Sequence, residues 1–194
     1  MVRTLIGGLV AGIIIFVVGF IFWATPLGEL AYAHPTDQQS AAVQNALAQN
    51  FGQGSAGAYR VPDAGSREGA AMYANGPIAV VQFNPRGYSP DDMTMILPGF
   101  IMAVIAGLLI AFGLASVSRG RSFAELGRLV VLFSLGFTVW EYLGTPIFNH
   151  FGWGYWIYSF VAESVSLILA GLVVARWFLP SHVHPVAEPV ATEA

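Results

Sequence analysis

LVVLFSLGFTVWEYLGTPIF (129–148), NHFGWG (149–154) and YWIYSFVAESVSLILAGLVVA (155–175) follow one another without a break, and each long run carries one charged residue. The hydrocarbon core of a bilayer is ~30 Å thick and an α-helix rises ~1.5 Å per residue, so about 20 apolar residues are enough to cross it. Both runs reach that length, and the short connection between them makes the pair antiparallel. Two further windows qualify, Leu5–Ala24 and Met95–Val117, neither of which holds a charge. The count is therefore four spans.

Whole-chain composition agrees. Of 194 residues, 56% are hydrophobic and 10% are charged, whereas an ordinary soluble domain carries roughly 25% charged residues. That balance sets the chain outside the range of soluble globular enzymes. All eight basic residues are Arg, the net charge is -3 and no dense basic run exists, so a nucleic-acid partner has no electrostatic footprint. With no Cys, disulfides, thiolate metal sites and Cys nucleophiles are excluded.

Arg placement sets the expected orientation. Short cytoplasmic loops retain positive charge. Arg3 precedes span one, Arg119, Arg121 and Arg128 crowd the loop between spans two and three, and Arg176 closes span four. Both termini are then cytoplasmic. Arg60, Arg67 and Arg86 fall in the segment 25–94, about 70 residues long and so less sensitive to charge on translocation. Arg3, the apolar run and Ala31-Tyr32-Ala33 also imitate a cleaved signal peptide, but a signal h-region runs roughly 7 to 15 residues. This run is longer and ends in Trp23, an interfacial anchor, which favours a permanent span.

Segment 25–94 reads as a small extracytoplasmic α+β insert. Thr36-Asp37-Gln38-Gln39 fits a capping box that opens a helix of about 14 residues, ending near Asn50. Gly52–Gly57 is a loop by composition, Ala58–Pro62 and Pro77–Phe83 read as strands, and Ala64–Asn75 is undecided. So few large apolar residues can bury little core, so the insert is expected to lean on the bilayer, the spans or a partner. The tail 179–194, with Pro180, Pro185 and Pro189, is expected to be a disordered cytoplasmic segment. The domains are thus 1–24, 25–94, a three-helix bundle over 95–178, and the tail. The fold class is an all-α integral membrane protein with four transmembrane helices and an α+β insert between helices 1 and 2.

Lipid supplies no hydrophobic drive for helix association, so small residues mark contact faces. Gly8 and Gly12 make a GxxxG pair in span one, with Gly19 beyond, and Gly99, Ala103, Gly107 and Ala111 recur every four residues in span two. These faces pack the spans on each other, on a second copy or on a partner subunit.

Glu141 and Glu163 are the ionisable residues well inside the apolar windows. A charge there costs about +2.5 to +3.5 kcal/mol on insertion scales, which makes each a candidate functional residue. Counted from the hairpin, Glu141 lies about eight residues before it and Glu163 about nine after it, so an antiparallel pair puts them at similar depth. Ser134, Thr138, Glu141 and Thr145 form one helical stripe, and Ser159, Glu163 and Ser166 form another. Facing stripes would make a hydroxyl-lined seam in which the carboxyls share a proton, with Pro146 freeing the carbonyl of Tyr142. Three roles are open: interhelical hydrogen-bond glue, a proton or cation path, or contact with a partner's Arg or Lys.

The hairpin is aromatic, with Trp153, Tyr155, Trp156 and Tyr158 beside Asn149 and His150. An interfacial belt accounts for it, a head-group or quinone-like ligand is the lesser option, and His150 reads as a solvated interfacial residue rather than a proton shuttle. His182-x-His184 lacks a third ligand, so no metal site is expected. His34 has no evident partner in sequence, and Asp91-Asp92 read as solvated charge. No HExxH, GxSxG, P-loop or GxGxxG pattern occurs, and no cofactor is implied.

One span, an outer unit with Gly57-Ala58-Tyr59-Arg60-Val61-Pro62 and Gly76-Pro77, then three spans resembles the layout of many bacterial inner-membrane proteins. No specific activity follows from that layout. The expected role is a non-catalytic accessory or assembly subunit of an inner-membrane complex, with the bilayer and a membrane protein or second copy as partners. The alternative is a small proton or cation transporter working through Glu141 and Glu163.

Overall fold

The computed structural model describes residues 1–52, 56–89 and 92–179. It is mostly helical, with four helices long and apolar enough to cross a membrane and one two-stranded sheet. These helices are α1 (Val2–Trp23), α4 (Ile96–Val117), the run Phe123–Asn149 and the run Trp153–Phe178. The run Phe123–Asn149 consists of α5 (Phe123–Thr138), a π-helical turn (Val139–Leu143) and α6 (Gly144–Asn149). The last run is α7 (Trp153–Val173) closed by a second π turn (Val174–Phe178). Between α1 and α4 lie a 3-10 turn (Pro26–Ala31), α2 (Asp37–Phe51), β1 (Gly57–Val61), α3 (Arg67–Asn75) and β2 (Ala79–Phe83).

The chain divides into two compact units, residues 34–92 and the remainder. In the helical unit the long helices pack in the order α4, α1, α7, α5. Within segment 95–178, α5 packs on α7, and α4 joins them mainly through α1 and by a smaller direct contact with α7. Small residues are the reason α4 packs on α1. A Cβ on Gly12 would stand 2.6 Å from the Cα of Val104, and one on Gly8 would stand 2.8 Å from the Cα of Leu108, so α1 and α4 touch backbone to backbone. The buried core is built largely from Ala11, Ala111, Ala170 and Ala175, with Leu126, Val174 and Leu179. Leu179 is thus packed, whereas the remainder of the expected disordered tail, including His182 and His184, lies outside the described residues, as does Asp91.

The unit 34–92 has the capping box and helix read from sequence. The Thr36 hydroxyl accepts from the Gln39 amide at 3.2 Å and the Gln39 side chain accepts from the Thr36 amide at 2.9 Å. The two strands pair antiparallel, with Gly57 opposite Phe83 and Val61 opposite Ala79. Alternation puts Tyr59, Val81 and Phe83 on one face, where Phe51 at the end of α2 stacks on Tyr59 at 4.3 Å and meets Phe83 edge-on at 5.4 Å. The undecided stretch contains α3, whose Ser66 cap accepts from the Gly69 amide at 2.9 Å. Among the described residues of this unit, only Gly69 is fully buried, so a three-ring cluster supplies most of its core.

Candidate functional site

The two ends of the helical unit differ in chemistry. Arg3 donates to the Trp177 carbonyl at 3.1 Å, tying the start of α1 to the end of the last helix. The Arg176 guanidinium lies 5.8 Å from the Phe123 ring centroid, which adds the start of α5 to the same end. Since α4 runs antiparallel to α1, the loop bearing Arg119 and Arg121 ends there too. At the opposite end, Trp23 packs against Tyr155 and Tyr158, Tyr32 packs against Tyr155, and Phe151 stacks on Trp156. Tyr158 also donates its hydroxyl to the Phe22 carbonyl. Partial desolvation, then the neighbouring Tyr155 and Glu29, raise the Tyr32 phenol above its ordinary pKa. Trp153 is exposed at this end, Trp156 is half-buried and His150 is exposed, taking a left-handed conformation (φ 54) to close α6.

The polar stripes do not meet as the α-helical period predicts. At the end of α5, the α5–α7 contact includes Thr138, fully buried, whose Oγ1 lies 2.8 Å from Ser164 Oγ. Thr138 Oγ1 is also 2.9 Å from the Ser134 carbonyl oxygen. If that hydroxyl donates to Ser134, the Ser164 hydroxyl donates across the interface, and each proton has one acceptor. Ser164 was no part of the predicted stripe. Its signal was depth: it lies about as far beyond the hairpin as Thr138 lies before it.

The π turn Val139–Leu143 is the cause of the mismatch. Pro146 is buried and has no N–H for the Tyr142 carbonyl, and the Gly144 amide bonds to both Trp140 and Val139 carbonyls. Thr145 Oγ1 donates to the Glu141 carbonyl at 2.7 Å, so local side chains stabilise the widened turn. A wider turn needs more residues to come round. Glu141, three after Thr138, therefore falls short of the α7 face and is exposed, while Tyr142 turns inward and is half-buried. Glu163 is half-buried on α7. Among the described residues no hydrogen bond joins the two carboxyls, so the expected shared proton is not part of this geometry.

The remaining predicted residues separate by role. Ser159 is buried and donates to the Tyr155 carbonyl at 2.8 Å, a bond within its own helix, and Ser166 is buried on α7. Gly8, Gly12 and Gly107 are true close-approach points, since a Cβ on Gly107 would collide with the Gly12 amide nitrogen and the Gly8 carbonyl. Ala103 and Ala111 are buried beside them. Gly99 is different, with nothing nearer its Cβ position than the Phe16 ring at 4.0 Å. Among the described residues no cluster of His, Asp and Glu could hold a metal ion. No protein-family model, curated protein or solved structure matches the chain.

Proposed function

We propose that this chain is a multi-pass protein of the bacterial inner membrane, both termini cytoplasmic and the unit 34–92 outside, acting as a non-catalytic accessory or assembly subunit. The concentration of Arg at one end of the helical unit and of Tyr and Trp at the other supports that orientation, because positive loops are retained inside and aromatic rings favour the headgroup level.

The observation that carries the accessory role is Glu141. It is exposed among the described residues, on a helix where Trp140 and Phe137 are exposed too. A carboxylate left against lipid costs about +2.5 to +3.5 kcal/mol, and a facing Arg, Lys or hydrogen-bond donor on a partner helix offsets that cost. The test is native mass spectrometry of the untagged protein after mild extraction, with fragmentation to identify each chain. The expected result is a particle holding at least one other membrane protein, lost in Glu141→Leu. A lone chain or a homo-oligomer in wild type overturns it.

A second reading has one observation in its favour, a π turn that contains Glu141 on one helix while Glu163 is half-buried on the helix packed against it. On that reading the chain moves protons or cations. Proteoliposomes in which Glu141→Gln and Glu163→Gln keep the wild-type pH-driven flux would eliminate it.

A further inference from the structure

Because α4 packs on α1 and α5 packs on α7, the inner halves of α4 and α5 stand apart and leave a groove floored by α7. Ile110, Val117, Phe133, Phe137, Leu167 and Gly171 line it, and its volume is about 570 Å³. The polar lining residues are Ser134 and, at the Arg-rich end, Arg121. From Leu129 to Phe137 the groove climbs about 12 Å of helix, close to the depth of one bilayer leaflet.

We propose that this groove binds one acyl chain of an anionic phospholipid, with the lipid phosphate held by Arg121. The inference rests on the membrane reading above, though not on the accessory role. Shape suits the occupant: a narrow apolar channel about one leaflet long matches a single extended acyl chain. Charge selects the headgroup. Arg121 is exposed, and among the described residues its side chain makes no hydrogen bond or ion pair. Arg119 and Arg128 are exposed close by in sequence. The one acid among them, Glu125, is engaged by the Ser122 amide at 2.7 Å and the Ser122 hydroxyl at 2.8 Å. The mouth is left with a positive balance suited to a phosphate.

The test titrates the full chain in detergent micelles with dioleoyl phosphatidylglycerol or dioleoyl phosphatidylcholine and counts adducts by native mass spectrometry. Wild type should hold one phosphatidylglycerol at least ten-fold more tightly than phosphatidylcholine. Arg121→Ala should bring the two lipids level. Gly113→Leu, at a lining position with nothing within 4 Å of its Cβ, should fill the groove and weaken both. Gly136→Leu, equally open but outside the groove, should change nothing. Circular dichroism melting verifies that each variant folds, and Val117→Trp replaces Gly113→Leu if that variant does not. Equal adducts in wild type, Arg121→Ala and Gly113→Leu overturn the proposal, as does an equal loss in Gly136→Leu. Failure of the wild-type chain to enter lipid vesicles at all would instead defeat the membrane reading.

Discussion

The α1–α4 and α5–α7 interfaces meet the same difficulty by different means. Neither can draw on the hydrophobic effect if lipid surrounds it, so α1 and α4 gain dispersion energy by bringing backbones together, while α5 and α7, with one glycine (Gly171) packed against the Val130 side chain, add a hydrogen bond between two hydroxyls. Gly8, Gly12 and Gly107 bring two backbones into contact; Thr138 and Ser164 meet at 2.8 Å in a site sealed from solvent. Backbone contact around Gly8, Gly12 and Gly107 leaves no room for an added atom. A single bond can be removed and its neighbours stay in place.

Gly107→Ala is the harshest way to break that comparison. The new methyl would strike the Gly12 amide nitrogen and the Gly8 carbonyl, both backbone atoms that cannot rotate aside. Overpacking typically costs about 1–3 kcal/mol, and a backbone obstacle puts this site at the upper end. Unfolding by dodecyl sulfate, followed by circular dichroism, should show the loss; a wild-type midpoint would mean that α1 and α4 are not in contact. Thr138→Val and Ser164→Ala should be milder. Interhelical hydrogen bonds in membranes average about 0.6 kcal/mol by double-mutant cycle and reach about 1.7. A coupling energy in that range for the pair, read from the same unfolding curves, is expected, and strict additivity would remove the bond from the description.

The same contrast explains what was legible in the sequence. Spans, strands and the Thr36 cap follow from local patterns, and the Gly8–Gly12 face needs no knowledge of its neighbour to be recognised as a contact face. Helix α3 escaped because Ser66 is followed at the third helical position by Gly69 rather than Glu or Gln, so half of the capping signal is missing. The polar seam escaped for a deeper reason. Pro146 announces that a carbonyl is freed, but whether the helix kinks, tightens or widens depends on what surrounds it. It widened, and every residue from Glu141 onward changed face relative to Thr138. Placing α1 between α4 and α7 was likewise beyond local pattern, since two small-residue faces do not state the order of four helices.

The smallest effect sharpens the contrast from within one helix. Gly99 and Gly107 share a face of α4 and look alike in sequence, yet only the Phe16 ring edge at 4.0 Å approaches the Cβ position of Gly99. That is ordinary van der Waals distance, and Phe16 already meets Phe100 edge-on at 5.4 Å, so a methyl at Gly99 would extend an existing contact. Glycine also carries extra conformational freedom in the unfolded chain, and replacing it where the backbone is helical stabilises by about 0.4–1 kcal/mol. Gly99→Ala is therefore expected to raise the unfolding midpoint slightly, opposite in sign to Gly107→Ala. Equal losses at the two positions would mean that α4 approaches α1 along its whole length, and that the opening of the interface toward the start of α4 does not exist.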